Sequence, residues 1–98
     1  MKSAVILFFF LSITNVLAQD AAKGMNLYNT CIQCHGEKGE GNLKEEAPRI
    51  GGQFDWYILA SLKSFKSGER KNLKMLPYIQ KLTEQDFKDL AAYVSTLK

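Results

Sequence analysis

Apolar side chains recur at intervals of three and four residues in three segments of the chain, and this spacing predicts three α-helices. The segments cover about residues 21–34, residues 53–67 and a stretch that follows Thr83. Asp86 lies three residues after Thr83, which predicts a capping box at the start of the third helix. Gly68 is typical of a helix end and predicts where the second helix stops. No segment alternates apolar and polar residues, so we predict an all-α fold.

Two long loops separate these helices. The second loop runs between Gly68 and Thr83 and contains Met75 and Pro77. Loops of this length are uncommon in a compact domain unless they wrap around a ligand or carry a function. We therefore predict three main helices with long loops that surround a bound group. The first loop, residues 35–52, is rich in turn-forming residues: Gly36, Gly39, Gly41, Asn42, Pro48, Gly51 and Gly52.

Residues 1–18 have the pattern of a secretory signal peptide. Lys2 gives a positive start, residues 4–13 are almost entirely apolar, and residues 16–18 offer a cleavage site. About ten apolar residues are too few for a membrane-spanning helix, which takes roughly twenty. We predict cleavage before Gln19, with residues 19–98 forming one domain and no membrane span left after cleavage. An uncleaved membrane anchor is the alternative.

The charge of the chain is nearly balanced, with 13 basic and 10 acidic residues. Removal of residues 1–18 would remove only Lys2, leaving 12 basic against 10 acidic residues and a formal charge of +2. This balance argues against nucleic acid as a partner, because its binding usually demands a strongly basic surface. A domain this short usually needs a disulfide, a metal or a cofactor to stabilise its core.

The two cysteines and the single histidine of the chain form one motif, Cys31-Ile32-Gln33-Cys34-His35. The C-x-x-C-H pattern is the attachment signature of c-type haem. Two thiols at this spacing reach the two vinyl groups on one edge of the porphyrin, and the following imidazole binds the iron. We predict one covalently attached haem c, with His35 as a ligand of its iron.

Three other interpretations of the motif were weighed. A redox-active C-x-x-C pair is expected near a βαβ unit, and no strand is predicted here. A structural zinc site normally takes four ligands, and the chain offers two cysteines and one histidine. A disulfide between Cys31 and Cys34 would close too small a loop to stabilise the domain much. It would also leave His35 and the long loops unexplained.

Over residues 21–97 the chain resembles class I cytochrome c, and the likeness implies the all-α cytochrome c fold. The matching elements follow the family's order along the chain. They are Gly24 and Tyr28 before the haem motif, the loop His35-Gly36-Glu37-Lys38-Gly39-Glu40-Gly41-Asn42, the element Pro48-Arg49-Ile50-Gly51-Gly52-Gln53, a helix ending in Phe65 to Arg70, a methionine loop, and the C-terminal segment from Leu82 to Tyr93. Small bacterial periplasmic cytochromes and single halves of tandem di-haem cytochromes are similar by pattern, which implies a periplasmic location.

Met75 is the candidate for the sixth iron ligand, since the chain has no second histidine and a methionine thioether is the natural alternative. Met1 would leave with the signal peptide, and Met25 lies on the helix that delivers His35. Met75 lies 40 residues after His35, and with Pro77 it matches the family's Met-x-Pro pattern. Its alternative role is to fill apolar space. A His/Met ligand pair would raise the reduction potential and leave no open iron position.

Four further residues are assigned roles by the resemblance alone. The carbonyl oxygen of Pro48 would accept a hydrogen bond from the ring of His35 and so orient it. Arg49, Trp56 and Tyr57 would contact the haem propionates. Each of these residues has an alternative role in the loop, on the surface or in packing. Gly24 and Tyr28 are expected to pack closely against Leu90 and Tyr93 of the third helix.

The predicted function is a soluble electron carrier that exchanges single electrons with redox partner proteins and is not itself an enzyme. We expect a monomer or a weak dimer. The alternatives are a fixed haem subunit of a larger oxidoreductase complex and a haem-based sensor or catalyst with an open iron site. Four lysines could face an acidic partner, or they could simply solvate the surface: Lys63, Lys66, Lys71 and Lys74.

Overall fold

The computed structural model describes residues 4–5 and 19–98, and in these residues the regular structure is helical. Its elements are α1 (Ala21–Leu27), a 3-10 helix (Tyr28–Thr30), α2 (Ile32–His35), α3 (Asp55–Ser67), α4 (Leu76–Ile79) and α5 (Glu84–Val94). Within the described residues there is no β-strand, only an isolated antiparallel bridge between Asn42 and Ala47. The prediction of an all-α fold is confirmed. The predicted signal peptide, residues 1–18, lies outside the described residues except for positions 4 and 5.

The first predicted helix is not continuous, which corrects the prediction of one helix over residues 21–34. It tightens into the 3-10 helix, where the amide of Cys31 donates to the carbonyl of Tyr28 at 2.8 Å. The hydroxyl of Thr30 donates to the carbonyl of Leu27 at 3.4 Å, a side-chain bond of the type that competes with helical backbone pairing. A 3-10 turn has three residues rather than 3.6. The break therefore changes the direction of side chains between α1 and α2.

The ends of the longer helices follow the predicted chemistry. At the start of α5 the Thr83 hydroxyl accepts from the Asp86 amide at 3.1 Å, and the Asp86 carboxylate accepts from the Thr83 amide at 2.9 Å. This is the predicted capping box, and it is confirmed. Gly68 ends α3 with a φ of 83°, a left-handed conformation that favours glycine. Asp20 caps α1 by accepting from the amide of Lys23 at 3.1 Å.

Helices α1 and α5 pack tightly because Gly24 has no side chain. A Cβ atom at Gly24 would overlap the carbonyl oxygen of Asp89 and lie 2.9 Å from the Cβ of Tyr93. Close approach at Gly24 was predicted, but the nearest neighbour is the backbone of Asp89 rather than Leu90. The rings of Tyr28 and Tyr93 lie 5.5 Å apart, which extends the contact.

The side chain of Asp89 is 1% exposed and joins the start of α1 to α5. Its carboxylate accepts from the backbone amide of Asp20 at 2.8 Å and from the side-chain amide of Gln85 at 3.0 Å. Lys23 lies 3.8 Å from the same carboxylate. A buried carboxylate needs such partners, because an unpaired buried charge is strongly destabilising. Asp89 therefore fixes where α1 begins on the surface of α5.

Helix α3 also packs on α5, and α4 covers part of the same core. Helix α4 was not predicted, because four residues are too few to show a period. Pro77 lies near its start, where a missing amide hydrogen costs nothing. The buried apolar residues are Tyr28, Ile58, Leu62, Ile79, Phe87, Leu90, Ala91 and Val94.

Candidate haem-binding site

The C-x-x-C-H motif, which we call the attachment segment (residues 31–35), forms the single turn of α2 and the residue before it. Cys31 and Cys34 are free, half-buried thiols. His35 ends the turn and is 6% exposed. Gly36 then turns the chain away with a φ of 87°. All three functional side chains line one cavity of about 320 Å³.

The orientation of His35 is set by Pro48. The Nδ1 atom of His35 lies 2.9 Å from the carbonyl oxygen of Pro48. A carbonyl oxygen can only accept, so Nδ1 carries the proton and donates it. In the neutral form of the ring the other nitrogen, Nε2, holds a lone pair, and this is the form of imidazole that binds metals.

The long loop after the attachment segment brings Pro48 back to His35. The amide of Gly41 donates to the carbonyl of His35 at 2.8 Å, and the amides of Asn42 and Ala47 donate to each other's carbonyls at 2.8 and 3.0 Å. Gly51 has no side chain, and a Cβ atom there would overlap the carbonyl oxygen of Lys38. The loop is therefore folded back on itself by backbone contacts.

Tyr28 holds the C-terminal end of the attachment segment, where Gly36 follows His35. Its hydroxyl donates to the carbonyl oxygen of Gly36 at 2.6 Å. The ring is 1% exposed and also lines the cavity. Burial raises the pKa of Tyr28 to about 12, so the hydroxyl stays protonated and remains a donor. This contact ties the α1–α5 packing to the backbone next to His35.

The Cys31 thiol remains neutral in this environment. Burial raises the pKa of the Cys31 thiol, and the neighbouring Cys34 raises it further, while a hydrogen bond with Thr30 acts in the opposite direction. Thiols are the groups that would hold haem c through thioether bonds. The attachment segment thus presents two thiols and one metal-binding nitrogen to the same space.

Met75 lines the same cavity from a separate part of the chain. It precedes α4 and is half-buried against the core. Its amide donates to the side-chain oxygen of Asn72 at 3.2 Å, which shapes the turn before α4. Met25, by contrast, is 52% exposed on α1 and is not among the residues that line the cavity. The structure therefore brings Met75, but not Met25, to the cavity with His35.

Arg49, Trp56 and Tyr57 are not brought to the cavity. All three are exposed, and none of them belongs to its lining. Trp56 stacks on Phe54 with ring centroids 5.9 Å apart and meets Tyr57 edge-on at 5.9 Å. Their contact with haem propionates stays a prediction.

The apolar walls of the cavity were missed by the sequence interpretation. Their pattern is that of ordinary helix packing, since an apolar stripe looks the same whether it faces a helix or a ligand. No sequence pattern pointed to three polar residues of the cavity lining, Glu45, Glu46 and Tyr78. The apolar wall residues are Ile50, Ile58, Leu62, Ile79, Leu90 and Val94.

The residues present fit a haem c. A porphyrin is a flat apolar ring, and this cavity has apolar walls on the loop, α3, α4 and α5. Two thiols and an imidazole nitrogen come from the attachment segment, and a thioether comes from Met75. Nitrogen and thioether sulfur are ligands that haem iron accepts in cytochromes.

Comparisons with known proteins agree with this geometry. The family described as cytochrome c matches residues 21–98. Cytochrome c-554(548) of Halomonas halodenitrificans is 39% identical over 82 residues, which cover 81% of this chain and 98% of that protein. Cytochrome c-553 of Helicobacter pylori is 34% identical over 98 residues, the whole of both chains.

A solved structure of cytochrome c4 from Pseudomonas stutzeri superposes on this fold with a TM-score of 0.76 at 33% identity. The match covers 83% of this chain and 47% of that one, so the chain spans about half the length of cytochrome c4. The chain therefore belongs to the cytochrome c family, as a class I monohaem electron carrier with covalently bound haem c.

Proposed function

We propose that this protein carries single electrons between redox partner proteins, with its haem iron held by His35 and Met75. The observation that carries the proposal is that both side chains line one apolar cavity together with the two free thiols. His35 lies in α2 and Met75 lies before α4, so two separate segments supply the two ligands. When bound, haem supplies an iron that alternates between the ferrous and ferric states.

Each residue of the site has a distinct task in this proposal. Cys31 and Cys34 hold the cofactor covalently, which prevents its loss outside the cell. Pro48 fixes the ring of His35 through its carbonyl oxygen and makes the nitrogen a better ligand. The soft thioether of Met75 favours the ferrous state and so raises the reduction potential. The apolar walls exclude water from the cavity, which limits the rearrangement that accompanies each change of charge.

We infer that the protein is a carrier rather than an enzyme. A ligand on each side of the iron leaves no coordination position for a substrate. The relatives that match the whole domain carry the names of cytochromes rather than of enzymes. Ferrous protein that bound carbon monoxide rapidly without denaturant would instead support a sensor or a catalyst.

We propose that the protein is exported to the periplasm and cleaved before Gln19. The pattern of residues 1–18 supports export. Helix α1 is capped by Asp20, the second residue after the proposed cleavage position. None of the helices in the described part of the chain has the length and apolar content needed to span a membrane. The mass of the purified holoprotein tests this, since cleavage predicts a chain that starts at Gln19.

The lysine surface proposed for partner docking is largely engaged within the molecule. Lys63 lies 3.0 Å from the carboxylate of Glu84, and the pKa of Glu84 is lowered by this hydrogen bond and charge. Lys66 donates to the carbonyl oxygen of Leu82. These contacts favour a role for both lysines in solvating the surface of α3. A weak dependence of electron-transfer rate on salt would agree with this assignment.

Replacement of the methionines tests the central proposal. Met75→Ala is expected to abolish the weak far-red absorption band of a ferric methionine–sulfur bond and to lower the reduction potential. Met25→Ala is the matched control, because Met25 is exposed on α1, and it should keep the band. A band that survives in Met75→Ala would show that Met75 is not the ligand. Absence of covalent haem after expression with c-type maturation machinery would contradict the whole proposal.

A further inference from the structure

We propose that Tyr78 is a positioning residue that holds Met75 in place by a hydrogen bond to Gln33. The inference rests on the proposed ligation of the iron by His35 and Met75. It concerns what keeps the methionine segment, defined as residues 69–82, against the attachment segment.

The contact joins the two segments directly. The side-chain amide of Gln33 donates to the hydroxyl oxygen of Tyr78 at 3.2 Å, across 45 residues of sequence. Gln33 lies between Cys31 and Cys34 in α2. Tyr78 lies in α4, and its side chain lines the cavity. One hydrogen bond therefore connects the turn that would carry the haem with the turn that follows Met75.

Movement of Tyr78 is transmitted to Met75 through the backbone. The amide of Tyr78 donates to the carbonyl oxygen of Met75 at 2.9 Å. Pro77 lies between them and restricts the backbone further. Next to Tyr78, Ile79 is 1% exposed and anchors α4 in the core. Met75, Tyr78 and Ile79 thus move as one short unit.

This unit depends on contacts with the rest of the protein. Helix α4 has four residues, too few to be stable on its own. Asn72 accepts from the amides of Lys74 and Met75 at 3.1 and 3.2 Å, but these bonds lie within the segment itself. They shape the turn without attaching it to the attachment segment. The hydrogen bond from Gln33 does attach it.

A second link, on the other side of Met75, is an ion pair. Lys74 lies 3.8 Å from the carboxylate of Glu46, and the two side chains are 66% and 79% exposed. An ion pair this exposed contributes little and is screened by salt. The bond between Gln33 and Tyr78 is neutral, so salt does not screen it. The two links are therefore separable by experiment.

The test measures how readily imidazole displaces Met75 in the ferric holoprotein. Imidazole reaches the iron only when the methionine has left, so its apparent affinity rises with the fraction of detached methionine. Tyr78→Phe keeps the ring that lines the cavity and removes only the hydroxyl. Gln33→Leu removes the partner group. Gln80→Leu is the matched control, an exposed glutamine at the end of α4.

Each of Tyr78→Phe and Gln33→Leu is expected to raise the apparent imidazole affinity about two- to tenfold, the range of one hydrogen bond. The double variant should show no more than either single one, and Gln80→Leu should show no change. The higher imidazole affinity of Tyr78→Phe and Gln33→Leu should persist in 0.5 M sodium chloride. Unchanged affinity in both single variants, or effects that add in the double variant, would overturn the inference.

The outcome also distinguishes this inference from the proposed function. If wild-type protein lacks the far-red band, the His35/Met75 proposal fails and this inference fails with it. If the band is present but the variants bind imidazole like wild type, only the role of Tyr78 fails. In a Met75→Ala background, Tyr78→Phe should leave imidazole affinity unchanged, because no methionine remains to be held.

Discussion

Two regions of the molecule are held in place in opposite ways. One is the contact between α1 and α5, and the other is the methionine segment. Between the two helices, Gly24 lies directly against the backbone of Asp89, and Tyr28 packs against Tyr93. This contact is buried, and it continues into the attachment segment through the hydroxyl of Tyr28. His35, the proposed ligand of the iron, is therefore tied to the close packing of α1 on α5.

The methionine segment has few buried contacts. Leu73 is 83% exposed, while Ile79 is buried at 1% exposure. Its side-chain links to other elements include the exposed bond from Gln33 to Tyr78 and the ion pair between Lys74 and Glu46. Segments with few buried contacts open locally at a lower free energy than the whole domain. Loss of the proposed bond between Met75 and the iron should therefore be a separate event from global unfolding.

The largest effect is expected for Gly24→Ala. The new methyl group would overlap the carbonyl of Asp89 and force α1 away from α5. Overpacking of this kind costs about 3 kcal/mol of global stability. Denaturation by guanidinium, followed by far-ultraviolet circular dichroism, measures it. Gly68→Ala is the control, since a Cβ atom at Gly68 would meet no other side chain or backbone of the described residues within 4 Å and its φ of 83° opposes alanine by about 1 kcal/mol. Equal losses of global stability in Gly24→Ala and Gly68→Ala would contradict a close contact at Gly24.

A smaller effect is expected for Tyr28→Phe. This change removes the donor to the Gly36 carbonyl and costs about 1–2 kcal/mol of global stability. The pH dependence should also change, because the pKa of Tyr28 is about 12 in the folded protein against an ordinary value of 10.0. The unfolded chain then loses this proton first, so the stability that Tyr28 provides is complete below pH 10 and declines towards pH 12.

Urea titrations at pH 9, 10, 11 and 12 on both proteins test this pH dependence. The difference in unfolding free energy between wild type and Tyr28→Phe should shrink as pH rises above 10. A difference that stayed constant would show that the Tyr28 hydroxyl ionises as easily in the folded protein as in the unfolded chain.

The contrast between the α1–α5 contact and the methionine segment also explains which features could be predicted from the sequence. Gly24 and the Thr83–Asp86 capping box were predicted because helix caps and close helix contacts leave local signals. The attachment segment was predicted because its spacing is dictated by the geometry of the porphyrin edge.

The methionine segment was predicted only in part. Met75 could be selected by elimination, but α4 and the bond between Gln33 and Tyr78 depend on contacts between distant residues. Four residues show no period, and a hydrogen bond across 45 residues leaves no mark in the pattern. The exposed position of Trp56, outside the cavity, agrees with the surface role that the sequence left open.

Removal of the cap of α5 should destabilise the helix pair without loosening Met75. Thr83→Ala is expected to cost about 1 kcal/mol of global stability, the usual value for a lost N-cap. The apparent imidazole affinity of the ferric protein should stay at the wild-type value. Thr96→Ala is the control for stability, since Thr96 follows α5 and its hydroxyl donates to the carbonyl oxygen of Tyr93. A rise in imidazole affinity in Thr83→Ala would show that the two regions are coupled.

The smallest effect is expected for Glu46→Gln, which removes the ion pair with Lys74. Both side chains are largely exposed, so the change should weaken retention of Met75 by less than about 1 kcal/mol. The resulting rise in imidazole affinity should be seen in low salt and should vanish in 0.5 M sodium chloride, where wild type has lost the same attraction. Global stability should not change. Glu45→Gln, on the adjacent residue of the cavity lining, provides the control. A rise of equal size in both salt conditions would mean that Glu46 does not act through its charge.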